Sequence, residues 1–354
     1  MNLKIRLQIF TRTKRPTFIN IITNKGVKRN LFFEKILTPF YFLNLILEVN
    51  MKKLVKNLVL ALGTMAFAFS VLSCSKKKEQ TEYVYNGKPE YAEFAKQVKG
   101  VLKIGIECAY APFNWTQADK KIPGHPELSA EPIYGSPDYA YGFDVIFSKL
   151  LADEMGLKLE VHKNDWASIW MGLKAGDYDL VESGSIYSAE RDTFVDYIDP
   201  YYNRYNVIVV KKGSPYEKYT KLEQFKGLKF TCQINTNWPA YINQIPDAVI
   251  LPYPDTCTEV IMKVAMGDID CGVMDWPTAY SGTISNPDVV IVQLEKDYDF
   301  VTPDGASDTC TPSVIEGNYI AVDALKAAMK AIGWGQESMD KYMKLAIETQ
   351  PLSY

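Results

Sequence analysis

From Tyr91 onward the apolar positions of the chain switch repeatedly between a two-residue and a 3.6-residue spacing, which predicts alternating strands and helices after an amphipathic stretch at Tyr91 to Val98. Val101 to Ile106 (VLKIGI) alternates as a strand and runs into YAPF at 110–113, where Pro112 stops regular structure. Residues 116–140 carry Pro123, Gly124, Pro126, Pro132, Gly135 and Pro137 and read as a long surface excursion rather than core. Val145, Ile146, Leu150, Leu151 and Met155 then fall at helical intervals in a segment that stops at Gly156, and Leu157 to His162 is the next strand. Ser168 to Ala175 and Thr258 to Gly267 predict helices; Tyr178 to Val181, Val207 to Val210, Leu228 to Cys232, Cys271 to Met274 and Val289 to Gln293 predict strands. Two amphipathic helices, Asp323 to Ile332 and Gln336 to Ile347, end the chain. Such alternation predicts βαβ units, hence mostly parallel sheets flanked by helices, with ligands at the carboxyl ends of strands and at helix N-termini.

The front of the chain has a different pattern. From Met51, a basic stretch with Lys52, Lys53 and Lys56 precedes an uncharged, mostly apolar run from Leu58 to Leu72, the signature of a secretory signal peptide over 51–73. The run is short of the roughly 18 to 20 residues that a membrane-spanning helix needs, the competing reading. Val71-Leu72-Ser73-Cys74 resembles the lipobox of bacterial lipoproteins, which implies lipidation of Cys74, a membrane anchor, and a polar tether over 74–98. Residues 1–50 are then expected to be an extension of the gene model ahead of a start at Met51.

Charge sharpens this picture. The chain carries 39 Lys and Arg against 42 Asp and Glu, yet residues 1–50 hold nine bases and only Glu34 and Glu48, so the remainder is acidic. An acidic body argues against nucleic acid as a partner. With only His125 and His162, and no Cys/His grouping at zinc spacing, neither a metal nor another cofactor is expected. Past Cys74 the chain has Cys108, Cys232, Cys257, Cys271 and Cys310; an odd number leaves at least one free thiol.

In order and spacing, GIECAYAPF (105–113), YGFDVIFSKLLADEMG (141–156), WASIWMGLKAGDYDL (166–180), SAERDTFVDYIDPYY (188–202), VVKKGSP (209–215) and TEVIMKVAMGDIDCGVMD (258–275) resemble the bacterial extracellular solute-binding proteins of family 3. The resemblance covers residues 100–354. It implies an α/β fold of the type II periplasmic-binding-protein kind: two lobes, each a mostly parallel sheet flanked by helices, joined by two crossing strands around a ligand cleft. Lobe 1 is expected over 99–204 plus 317–354 and lobe 2 over 205–316, with crossings near Asn203 and Gly317. The implied function is that of a monomeric, lipid-anchored binding subunit on the periplasmic or extracellular face, which hands a polar amino acid to the permease and ATPase subunits of an ABC importer.

Residue by residue, the resemblance assigns Arg191 to the ligand α-carboxylate, for which a planar guanidinium fork is suited; the plain alternative is a surface arginine paired with Glu190 or Asp192. Asp275, ending a buried strand in VMDWP, would hold the α-ammonium, or else cap the helix that follows. Tyr110 and Trp166 match aromatic positions that sandwich the ligand side chain, with core packing as the alternative. Glu107 matches an acidic position on the pocket floor. Ser183, Gly184 and Ser185 would offer backbone contacts, because Ile186 stands where the family commonly has a hydroxyl. Asn235-Thr236-Asn237 replaces a Gly-Ser/Thr-Thr helix opening, so Thr236 and nearby N–H groups would meet the carboxylate, while Asn235 lacks the conformational freedom of glycine.

Two other functions stay open on sequence grounds. One is an enzyme on the same scaffold, resembling cyclohexadienyl dehydratases, with Glu107 or Glu182 as general acid. The other is a receptor domain for a sensor partner. No Ser/His/Asp arrangement, glycine-rich phosphate loop or HExxH is present, so a non-enzymatic binding protein is the reading preferred here.

Overall fold

The structure is a computed structural model that describes residues 6–9, 18–22, 28–32, 83–304 and 307–351. The chain divides into two compact units, Met1–Thr81 and Glu82–Tyr354. In the first unit, Arg6–Ile9, Phe18–Ile22 and Lys28–Phe32 pair as an antiparallel three-stranded sheet. The expected signal segment, Cys74 and the start of the tether lie outside the described residues.

The second unit is built from two α/β lobes. In chain order, the first lobe contributes α1 (Ala92–Gln97), β1 (Val101–Ile106), α2 (Phe143–Glu154), β2 (Lys158–Lys163), α3 (Ile169–Ala175), β3 (Leu180–Val181) and β4 (Val195–Tyr197). Then β5 (Tyr202–Asn203) leads into β6 (Asn206–Lys211), β7 (Lys229–Thr231), α4 (Trp238–Ile242), β8 (Val249–Ile250), α5 (Cys257–Met266), β9 (Cys271–Asp275), α6 (Trp276–Ser285) and β10 (Val289–Ile291) of the second lobe. The chain returns through β11 (Thr309–Cys310) to β12 (Ser313–Ile315), α7 (Tyr319–Ala331) and α8 (Gln336–Thr349).

The first sheet has the order β2-β1-β3-β12-β4 and the second β8-β7-β9-β6-β10. Both are mixed rather than mostly parallel. In the first, β1 pairs parallel with β2 and β3, while β12 runs antiparallel to β3 and β4. In the second, β7 pairs parallel with β8 and β9, while β6 runs antiparallel to β9 and β10. The antiparallel strands are those next to the crossings, where the chain enters a sheet from the other lobe instead of through a βαβ turn. Leu102, Ile104 and Ile106, on one face of β1, and all of β9, on both of its faces, have no appreciable exposure, each large aliphatic side chain contributing roughly 1.5 to 3 kcal/mol of burial.

The crossing strands β5 and β11 pair antiparallel, Tyr202 opposite Cys310 and Asn203 opposite Thr309. The second crossing therefore falls at Thr309–Cys310, not near Gly317. The β12 strand already belongs to the first sheet, and the turn at Gly317 only links β12 to α7. In the excursion at 116–140, the strand Asn114–Gln117 pairs with Tyr139–Tyr141, and Ile122, Ala130, Ile133 and Ala140 are buried. Its proline and glycine clusters mark turns between short strands that pack on lobe 1, so part of the segment is core. The C-terminal helices return to α2, and the Trp334 indole donates to the Tyr201 carbonyl at 3.0 Å while packing against Phe143 and Phe147. Among the described residues no helix is long and apolar enough to cross a membrane.

Candidate ligand site in the interlobe cleft

Between the lobes lies a cavity of about 430 Å³, at the carboxyl ends of β1 and β3 on one side and of β7 on the other. Of the residues expected from sequence, Glu107, Tyr110, Trp166, Ser183, Gly184, Ser185, Arg191 and Thr236 line it; Asp275 does not.

Arg191 opens a single helical turn, Arg191–Thr193, after β3. Its guanidinium carbon sits 4.9 Å from the Trp166 ring centroid and 4.6 Å from that of Trp170, and the two indoles meet edge-on at 5.9 Å. These cation–π contacts hold the group, and the partners on its N–H fork are neutral. One nitrogen reaches the Ser185 hydroxyl at 3.5 Å and another donates across the cleft to the Asn235 carbonyl at 3.1 Å, which the Trp166 indole also meets at 3.2 Å. Neither Glu190 nor Asp192 pairs with it, and among the described residues no carboxylate lies within salt-bridge distance. Burial pushes Arg191 down to about 10, with Arg204 acting in the same direction, so it remains charged at neutral pH.

Glu107 follows β1 onto the floor of the cleft. Its carboxylate accepts from the Gln233 amide at 3.0 and 3.2 Å, a contact from the other lobe, and burial pushes its pKa up to about 7. Tyr110 stacks on Phe113 at 5.0 Å and donates its hydroxyl to Asp275.

Asp275 is fully buried at the end of β9. One carboxylate oxygen takes the Tyr110 hydroxyl, and the other accepts from the Thr278 N–H at 3.0 Å as the N-cap of α6. The capping role is the one the structure displays. Arg204, directly after β5, lies 3.9 Å from the Asp275 carboxylate, donates to the Tyr110 hydroxyl at 3.3 Å and to Asn237 Oδ1 at 3.3 Å, and faces the Trp238 ring at 5.4 Å.

The 183–185 loop is tied from below. Ser183 and Gly184 both take left-handed backbone, φ 55° and 60°, and a Cβ at Gly184 would meet the Tyr110 ring at 2.5 Å. The Gly184 N–H donates to the Tyr201 hydroxyl at 2.8 Å, which in turn donates to Asp144 at 2.7 Å; the Ser185 N–H is taken by the Glu182 carbonyl. The expected backbone donors of this loop are thus already satisfied internally. Thr236 likewise spends its hydroxyl on the Gln233 carbonyl at 2.8 Å. Asn235 adopts φ 58°, the conformation for which glycine would be chosen.

Glu182 is fully buried outside the cavity lining and accepts from Ser148 at 2.7 Å; burial and the charge of Asp144 hold its pKa well above the usual carboxylate range. It is not placed to act as an acid in the cleft. Sequence reading missed Arg204, Trp170 and Gln233, and named Asn237 only as part of the helix opening, without a contact of its own. Trp170 lies one helical turn after Trp166, a usable signal; nothing local marks Arg204, which reaches the cleft only because β5 crosses between lobes. Among the described residues no group of His, Cys, Asp and Glu is arranged to hold a metal, and all five cysteines are buried thiols.

Two α/β lobes joined by paired crossing strands, closing on a polar cleft with an unneutralised arginine, define a solute-binding protein of type II periplasmic architecture. The chain belongs to the bacterial extracellular solute-binding proteins, family 3, whose sequence model matches residues 131–344. It is 27% identical over 181 residues to the arginine-binding extracellular protein ArtP of Bacillus subtilis, a match covering 51% of this chain and 57% of that protein. It is 26% identical over 188 residues to a probable amino-acid ABC transporter-binding protein of Haemophilus influenzae, covering 53% and 59%. The chain thus spans less than two thirds of the length of these curated relatives. The fold is similar to that of an amino acid ABC transporter substrate-binding protein from Streptococcus pneumoniae solved with L-arginine, at TM-score 0.59 and 22% identity, covering 74% of this chain and 99% of that one.

Proposed function

We propose that this chain is the substrate-binding lipoprotein of an ABC importer, anchored through Cys74, which captures a polar amino acid in the interlobe cleft as a monomer and delivers it to the permease and ATPase subunits without chemical change. The observation that carries this reading is Arg191, fixed between Trp166 and Trp170 with its fork facing the cleft and no carboxylate partner. A partly desolvated cation without a counter-charge is costly, and a ligand α-carboxylate supplies it with bidentate geometry. The names of the relatives support an amino acid as cargo. The cleft has room for one, at the lower end of the range of small-molecule pockets.

Thermal melting of the purified protein with each common amino acid in excess tests this. A ligand at ~100 times its Kd adds about 2.7 kcal/mol, a rise of roughly 5 to 10 °C for a unit of this size. A rise with one or a few amino acids that disappears in Arg191→Ala is expected. Turnover of an arogenate-type substrate, with loss of water and carbon dioxide, would overturn the transport reading in favour of the dehydratase.

A further inference from the structure

Among the residues lining the cleft, two guanidinium groups, Arg191 and Arg204, are enclosed against the single carboxylate of Glu107; Lys174 and Glu190 also line it but are exposed. The two arginines sit in separate neighbourhoods, Arg191 with Trp166, Trp170 and Asn235, and Arg204 with Tyr110, Asn237 and Trp238. Arg204 is only 8% exposed and its Nε has no partner. Asn237 accepts from Arg204 through Oδ1, which leaves its own Nδ2 without one, and Trp170 Nε1 beside Arg191 is in the same position. Among the described lining residues these three are the buried polar atoms lacking a partner, and all three are donors. Two are at the Arg204 end and one at the Arg191 end, so both ends of the cleft call for an acceptor. Meanwhile Asp275, the acid expected to receive the ligand's ammonium, has Tyr110 and Thr278 on its two oxygens, and the positive charge nearest it is Arg204.

Given the amino-acid-binding reading above, we infer that the ligand is an amino acid bearing a second carboxylate, one carboxylate held by Arg191 and the other by Arg204 with Asn237, which makes Arg204 the specificity-determining residue of the cleft. Glu107 is then the enclosed acid left to meet the ammonium. Two kinds of amino acid share this chemistry: the short acidic ones, glutamate and aspartate, and the two-headed ones such as cystine.

Isothermal titration of the purified protein with glutamate, aspartate, cystine, glutamine and arginine separates them. The expected result is that glutamate or cystine binds roughly tenfold to a hundredfold more tightly than glutamine, the range for a hydrogen bond to a charged group. A preference for glutamate assigns the short acidic class, and a preference for cystine the two-headed one. Arg204→Gln should bring the acid-to-amide affinity ratio down to about one, and Arg204→Lys should retain part of it. Because loss of Arg204 removes a buried cation beside Asp275, the double variant R204Q/D275N is measured alongside; the ratio of acid to amide affinity, not overall stability, is the readout. Glutamine or arginine binding as tightly as the dicarboxylic ligands, or equal weakening of every ligand in Arg204→Gln, would overturn the inference and leave the amino-acid reading standing. No binding by any of the five would overturn the inference alone, and the absence of a melting shift with every other common amino acid as well would remove both readings.

Discussion

Replacing Glu107 by Gln removes one titrating carboxyl and little else, because an amide oxygen can still accept from Gln233. In the folded protein the Glu107 pKa rises from 4.5 to about 7, chiefly through burial. Between those values the native state holds a proton that the unfolded chain has lost, so this group's contribution to stability falls as pH rises through the window and is level above pH 7. Each pH decade of that interval is worth about 1.4 kcal/mol, so the full effect is roughly 3 kcal/mol. Without ligand, Glu107→Gln should therefore match the parent's pH trend below about pH 4.5 and gain on it until pH 7, by roughly 5 to 10 °C in melting temperature. Asp144 and Glu182, also raised by burial, titrate in both proteins and cancel from the difference. Melting curves from pH 4 to 8.5 provide the test, and the slope of the difference, not its offset, decides. A difference independent of pH would refute the placement of Glu107 in a desolvated cleft. With a ligand whose ammonium meets Glu107, the parent's affinity should fall as pH drops below 7, by up to about tenfold per unit, and the variant's should not.

The ligand loop and the opposing turn make two further tests. Gly184→Ala places a Cβ 2.5 Å from the Tyr110 ring at φ 60° and should cost roughly 1 to 3 kcal/mol; an unchanged melting temperature would mean the loop has another conformation. Asn235→Ala should destabilise by about 1 kcal/mol in urea unfolding, because alanine resists left-handed backbone, while Asn235→Gly should be neutral or slightly stabilising. The reverse order would contradict the positive φ at this residue.

Much of the site could be read locally. Arg191 in SAER, Glu107 after VLKIGI and Trp166 ahead of a helix are fixed to the ends of elements whose periodicity is plain, so the turn after each strand had to bring them to one edge of the sheet. Asp275 was located correctly, at the end of a buried strand, but its environment was not. Whether a carboxylate at that point faces a ligand or caps a helix depends on Tyr110 and Arg204, which are 165 and 71 positions away and reach it from the other lobe and the crossing strand. The same holds for the 183–185 loop, whose N–H groups are drawn inward by Tyr201 and Asp144.

By itself, then, the amino-acid sequence determined the alternation of strands and helices, because apolar spacing is a property of neighbours along the chain, and it determined which strand ends carry polar chemistry. The tertiary structure decided the mixed direction of the sheets, the second crossing at Thr309–Cys310, the core role of part of 116–140 and the arrival of Arg204 in the cleft. Each of those depends on pairings between segments far apart in sequence, which cost loop-closure entropy and are settled only when distant apolar surfaces and hydrogen-bonding edges find one another.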